Sequence, residues 1–279
     1  MSNQDDLFFQ VPKTRCTTSE GEAEVPILYF AASSFLAFFL VEREAADAKL
    51  QGTGLRPAVA VGNRVLLGID FFEYRRTSIG AYNEVGIAIP VVPVNAPPVR
   101  NLVRALYGPV DERRVGLYVL DLPVTTAIAC AGGKELWGFP KFLTEISFDL
   151  SRTRFEASVL DPEAEGEICS LSGHLLPGIP TPPMSLVTYS HLNDVLLRTT
   201  VNVRGRMTLR AGATLRLTVS ESKHRMAQNL RDLSLDGARP ILSLDTHDFQ
   251  SRLNAGVPVG ETVAPRLDLR RHTAPATVE

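Results

Sequence analysis

Positive charge is not in excess in this chain. Lysine and arginine number 29 against 31 acidic residues, a net charge of −2. No basic field for nucleic acid is therefore expected. Cysteine is scarce: Cys16, Cys130 and Cys169 are odd in number and widely spaced. Neither a disulfide framework nor a Cys/His metal site is expected, and a reducing, cytoplasmic location fits. Long apolar runs are missing as well. The longest, Ile27 to Val41, is broken by Ser33-Ser34 and falls short of the roughly 20 residues a bilayer span needs. The first residues, Met1-Ser-Asn-Gln-Asp-Asp-Leu7, lack the basic-then-apolar order of a secretion signal. Blocks of like charge and low-complexity tracts are absent too.

Lysine is also sparse. Lys13, Lys49, Lys134, Lys141 and Lys223 are the only ones, and arginine carries the rest of the positive charge. One of the five lies in an unusual setting, Glu135-Leu-Trp-Gly-Phe-Pro-Lys-Phe-Leu143. A cation among bulky apolar groups is costly to bury. Unlike arginine, a desolvated lysine can give up its proton and become a nucleophile. Locally the segment admits two readings. Lys141 is either a surface residue whose stem lies on apolar groups with its head in water, or an amine held in a pocket for chemistry.

Three segments bear on that choice. Gly133-Lys-Glu-Leu-Trp-Gly-Phe-Pro-Lys141 resembles the active-site segment of the acetoacetate decarboxylase family. Tyr74-Arg-Arg-Thr-Ser-Ile-Gly-Ala-Tyr-Asn-Glu84, running into Val85-Gly-Ile-Ala-Ile-Pro90, resembles the family stretch that carries a catalytic glutamate. Leu244-Asp-Thr-His-Asp248 with Leu253-Asn-Ala-Gly-Val-Pro258 resembles a C-terminal active-site loop more loosely. The resemblance implies that Lys141 forms a Schiff base with a carbonyl substrate and that Glu84 moves protons. Taken by itself, Glu84 reads as a surface glutamate in a loop near a strand start. Trp137, Phe139 and Phe142 are candidates for lining the pocket and desolvating the amine. Tyr82 either donates its hydroxyl there or packs, and His247 either faces the pocket or is structural. Two departures stand out. The decarboxylase proper has a second lysine where this chain has Phe142. It also has a carboxylate-holding arginine where this chain reads Glu20-Gly-Glu-Ala-Glu-Val25.

With 44% hydrophobic residues the 279-residue chain can build one large core. The expected fold class is α+β, and the resemblance implies an antiparallel sheet curled into a barrel-like cone with a few flanking helices. One domain is expected over 1–279, with residues 1–19 and 266–279 as mobile tails. Val25–Phe30 reads as a strand, and the apolar residues after Ser33-Ser34 read as a helix burying Phe35, Leu36, Phe39 and Leu40. Ala58–Ile69, Glu84–Val94, Leu117–Leu122 and Thr126–Ala131 read as strands. Val99–Tyr107 reads as a short helix opened by Pro97-Pro98 and stopped by Gly108-Pro109. Thr144–Leu150 and Arg154–Leu160 alternate around Ser151-Arg-Thr153, which predicts a hairpin. Thr199–Val203 and Leu215–Val219 read as strands, and Pro177–Pro183 as an extended connector. Ser222–Leu233 reads as a helix capped by Ser222, with Met226 in the core.

The expected activity is that of a Schiff-base-forming carbon–carbon lyase acting on a keto acid or related carbonyl compound other than acetoacetate. An aldolase–dehydratase using the same imine is the alternative, and a non-catalytic binding protein on the same scaffold is a third reading. The expected partners are a small carbonyl substrate and further copies of the chain, without cofactor, metal, nucleic acid or membrane.

Overall fold

A computed structural model describes residues 6–260 of the chain. It opens with the paired strands β1 (Thr14–Thr18) and β2 (Gly21–Val25), so part of the segment expected to be an N-terminal tail is ordered sheet. The expected tail at 266–279 lies outside the described residues. Strand β3 (Ile27–Glu42) and helix α1 (Arg43–Leu50) follow. Then come β4 (Leu55–Pro57), β5 (Ala60–Val61), β6 (Arg64–Thr77) and β7 (Tyr82–Pro93). Helix α2 (Leu102–Tyr107) leads to β8 (Gly116–Val124), α3 (Ala127–Trp137) and the short β9 (Lys141–Leu143). Strands β10 (Ile146–Leu150), β11 (Arg154–Leu160), β12 (Glu167–His174), β13 (Ile179–Thr181) and β14 (Leu186–Leu192) come next. The chain continues through β15 (Val195–Arg204), β16 (Met207–Ala211) and β17 (Leu215–Val219), and ends in α4 (Arg225–Asp232) and β18 (Leu242–Pro258).

Seven of these strands close on themselves in the order β18-β15-β14-β8-β7-β6-β3, because β18 also pairs with β3. Every contact round this barrel is antiparallel except that of β14 with β8. A second sheet, β10-β11-β12-β17, lies outside the barrel. Its inner face, with α1 and α4, forms one core against Phe35, Phe71 and Ile87 of the barrel wall. Phe155 of β11 is fully buried there and stacks on Phe35 with centroids 3.8 Å apart.

This double burial explains why the sequence of β3 reads partly as a helix. The run Ile27–Val41 is apolar on both faces because odd positions from Phe35 to Val41 face the second sheet, while Leu36 and Phe38 face the barrel interior. A strand buried on both sides loses its alternation and cannot be told from a buried helix by periodicity. The expected helix after Ser33-Ser34 is therefore strand, and the helix begins only at Arg43. The error at Thr126–Ala131 runs the other way. That stretch begins α3, whose small residues Ala129, Ala131, Gly132 and Gly133 are buried and let the helix approach the barrel closely.

Three smaller differences are local. The α4 helix starts at Arg225, with the His224 ring accepting from the Met226 amide at 3.2 Å. Ser222 instead accepts from the His224 amide. The α2 helix starts at Leu102, capped by the Asn101 side chain, which accepts from the Arg104 amide. Residues 179–181 of the proline-rich connector pair with β16. The β10–β11 hairpin, β15, β17 and buried Met226 agree with the sequence reading. Among the described residues, no helix is long and apolar enough to cross a membrane.

Candidate active site

Glu84 is placed by strict alternation along β7. Val85, Ile87, Ile89 and Val91 enter the outer core, so Glu84, Gly86, Ala88 and Pro90 face the barrel interior. Lys141 arrives from the other side of β8. Leu122 of β8 pairs with Lys141 while Val124 pairs with Glu84. Two residues 57 apart in sequence thus straddle one strand, and Lys141 Nζ lies 2.5 Å from Glu84 Oε2. Both side chains are buried, 6% and 9% exposed.

The helix between them supplies the geometry. Gly138 ends α3 in the left-handed conformation, φ 67°, which glycine adopts at little cost. The Gly138 and Phe139 amides then donate to the carbonyls of Lys134 and Gly133, each at 3.0 Å. The chain reverses and Pro140 delivers Lys141 back beside α3. Gly133 has no side chain for a reason: a Cβ there would overlap Cδ and Cε of Lys141. Trp137 anchors the helix. Its indole N–H donates to the Asn254 carbonyl on β18 at 2.9 Å, and its own carbonyl accepts from Ser190 on β14 at 2.6 Å.

Tyrosines surround the pair. Tyr74 donates to Glu84 Oε1 at 3.3 Å, the Tyr29 and Tyr82 hydroxyls are 3.1 Å apart, and Lys141 Nζ lies 5.8 Å from the Tyr82 ring centroid. Burial first, and the neighbouring Glu84 charge among further causes, push all three phenols above their ordinary range. They stay neutral and can donate hydrogen bonds. Asp70 on β6 is a fourth titratable group, held by the Ser34 hydroxyl at 2.9 Å. Burial raises its carboxyl to about 8, against the opposing hydrogen bond from Ser34.

Lys141, Glu84 and Asp70 line a cavity of about 140 Å³ inside the barrel, together with Tyr29, Tyr74 and Phe139. A smaller recess of about 10 Å³ lies between Lys141, Tyr82, Gly133 and Trp137. A larger hollow, about 800 Å³, is a groove lined by Trp137, Arg198 and Arg252, and it touches neither Lys141 nor Glu84. Size therefore does not locate the chemistry here. Among the described residues, no group of three His, Cys, Asp or Glu side chains could hold a metal ion.

The structure brings together Lys141, Glu84, Tyr82 and Phe139 but corrects three other expectations. Trp137 touches the small recess, not the main cavity. Phe142 points away from the cavity and packs on His224, ring centroids 4.4 Å apart, because successive strand residues face opposite ways. His247 is exposed; its ring lies 3.4 Å from the Ser33 hydroxyl, and its carbonyl accepts from Arg75. The amine is thus not bracketed by three aromatic groups. Its neighbours are a carboxylate, phenols, Phe139 and, across the small recess, Trp137. Sequence reasoning missed Tyr29, Tyr74 and Asp70. The spacing of Asp70, Phe72 and Tyr74, two residues apart and in line with Gly68, carried that signal once β6 is taken as a strand.

The family model described as acetoacetate decarboxylase matches residues 14–184. The chain belongs to the acetoacetate decarboxylase family. The match takes in both Glu84 and Lys141. The fold agrees with solved members. Acetoacetate decarboxylase from Legionella pneumophila superposes with a TM-score of 0.59 at 15% identity, over 90% of this chain and 93% of that one. The enduracididine biosynthesis enzyme MppR, solved with pyruvate, gives 0.57 at 13% identity, over 84% and 90%. An acetoacetate decarboxylase-like enzyme from Sphingomonas wittichii RW1 gives 0.57 at 11%, over 85% and 94%. No functionally curated protein matches by sequence.

Proposed function

We propose that the protein is a Schiff-base-forming carbon–carbon lyase acting on a keto acid or related carbonyl compound, with Lys141 as nucleophile and Glu84 as proton carrier. The observation that carries this reading is the buried amine–carboxylate contact of 2.5 Å facing a cavity inside the barrel. Glu84 takes a proton from the Lys141 ammonium, and the neutral amine attacks the carbonyl carbon. A C–N bond forms, and the nitrogen passes one proton to the carbonyl oxygen, which becomes a hydroxyl. Glu84 returns its proton to that hydroxyl, which leaves as water, and a protonated imine that keeps the last N–H remains. That iminium accepts the electron pair of a neighbouring C–C or C–H bond. Tyr74 fixes Glu84 through its other oxygen, so the carboxylate is aimed before substrate arrives.

Aldolase–dehydratase chemistry is the second reading, and one observation favours it. Among the described residues, Lys141 is the only cation lining the cavity, where Glu84 and Asp70 supply two carboxyls. Nothing positive is left to hold a substrate carboxylate, so a reaction between carbonyl compounds that need not expel one as carbon dioxide fits this lining better than decarboxylation does. MppR has been solved with the condensation product of pyruvate and imidazole 4-carboxaldehyde, a compound built from two carbonyl partners. Carbon dioxide release and aldehyde consumption, measured over a panel of carbonyl compounds with the unaltered protein and Lys141→Ala, separate the readings. Both activities should depend on Lys141. Turnover that survives in Lys141→Ala would contradict the imine, and specific binding without turnover would return the protein to a non-catalytic role.

A further inference from the structure

The strand register orders the cavity wall from the reacting end inward. Phe72 of β6 pairs with Glu84, Asp70 with Gly86, and Gly68 with Ala88. On the other side of β6, Ser34, Leu36 and Phe38 of β3 follow the same steps. Each step is two residues, about 6.6 Å of strand. The first level beyond Glu84 and Lys141 therefore holds Asp70, and the next holds Gly68, Ala88 and Phe38. Past that the lining is Pro90, Leu117, Met184 and Leu186, all apolar. Two glycines keep the passage open. A Cβ on Gly86 would come 3.3 Å from Leu122 Cδ1, and one on Gly68 would come 3.2 Å from Leu36 Cδ1.

We propose, building on the imine reading, that the substrate is an uncharged carbonyl compound whose carbonyl carbon sits at Lys141 and whose apolar tail runs past Asp70 toward Phe38 and Met184. Charge decides the class. The single positive charge on Lys141 is already matched by Glu84, and the imine that replaces the amine offers no second one. A carboxylate on the tail would meet Asp70 and then hydrocarbon, with no cation to replace its lost hydration. Size sets the limit. A cavity of about 140 Å³ is close to the roughly 150 Å³ that holds a benzene-sized molecule. Asp70 becomes a specificity-determining group. As a neutral acid it tolerates an apolar tail and can donate to a hydroxyl or carbonyl oxygen a few carbons from the imine; as a carboxylate it repels an anion.

The test is competitive trapping with borohydride on the full chain, using acetone, butyl methyl ketone and levulinate as probes. Butyl methyl ketone and levulinate are similar in size and differ by a terminal carboxylate. Butyl methyl ketone should give more Lys141 adduct than levulinate by roughly ten- to a hundredfold, the factor that follows from an unmatched charged contact. It should also exceed acetone, which leaves the apolar end empty. At pH 9, where Asp70 has given up its proton, the levulinate adduct of Asp70→Asn should gain several-fold relative to butyl methyl ketone. Equal or better trapping of levulinate by the unaltered protein would overturn the proposal while leaving the imine intact. Absence of any Lys141 adduct with all three probes would overturn the imine reading and this proposal together.

Discussion

Lys141 and Glu84 form a pair whose members depend on each other. Removing either leaves an unmatched buried charge, which costs several kcal/mol when uncompensated. Glu84→Gln keeps the size but cannot carry the proton, so turnover should fall by about 10²–10⁴, read as kcat with folding checked by circular dichroism. Asp70 makes a separate prediction about stability. Its carboxyl is pushed up to about 8 in the folded protein, against about 3.9 when unfolded. Between those values the folded state holds a proton that the unfolded state has lost, so this contribution is full below about pH 4 and disappears as pH rises through 8. Asp70→Asn lacks the titration and keeps an acceptor for Ser34. Its stability relative to the parent protein should therefore rise across that window by roughly 3–5 kcal/mol, measured by urea unfolding at each pH. A constant difference from pH 4 to 9 would mean that Asp70 ionises freely. At this scale the sequence made Lys141 and Glu84 visible, because their motifs are contiguous. It hid Tyr29, Tyr74 and Asp70, whose roles come from strand register. It misplaced Phe142 and His247, because proximity in sequence does not say which way a strand residue points.

Helix α3 and the turn after it position the amine, and their glycines can be tested separately. Gly133→Ala replaces a poor helix former by a good one, which alone would stabilise α3 by roughly 0.5–1 kcal/mol. The new methyl would occupy the space of the Lys141 stem. Turnover should fall about 100-fold, as for a displaced reacting group, while the melting temperature is kept. Loss of both would show that the methyl disrupts the helix rather than the lysine. At Gly138 a Cβ would run into the His191 carbonyl, and φ is already positive, so Gly138→Ala should lower stability and activity together. The elements themselves were legible where one face meets water. The β10–β11 hairpin alternates and was read correctly, whereas β3 is buried on both faces and was not. The sequence 126–131 is short, apolar and rich in small residues, a composition that fits a buried strand as well as the first turns of a close-packed helix.

The whole molecule holds its site inside the barrel, and a second sheet packs on the outer face of the barrel wall. Phe155 sits at the centre of that contact, between Phe35, Phe71 and Phe148. Phe155→Ala should destabilise the protein by about 3–5 kcal/mol, seen as a lower denaturation midpoint, although the residue is on the opposite side of the wall from Lys141. The barrel expected from the family resemblance is present, and the sheet that covers it was not anticipated as a separate layer. One covalent event inside that barrel is central, and reductive trapping reads it directly. Incubation with pyruvate or a neutral methyl ketone and borohydride, followed by peptide mass mapping, should place the substrate-derived mass on the peptide containing Lys141. The adduct should be absent in Lys141→Ala. An adduct on Lys134 or Lys223, or none with any carbonyl compound that binds, would contradict it.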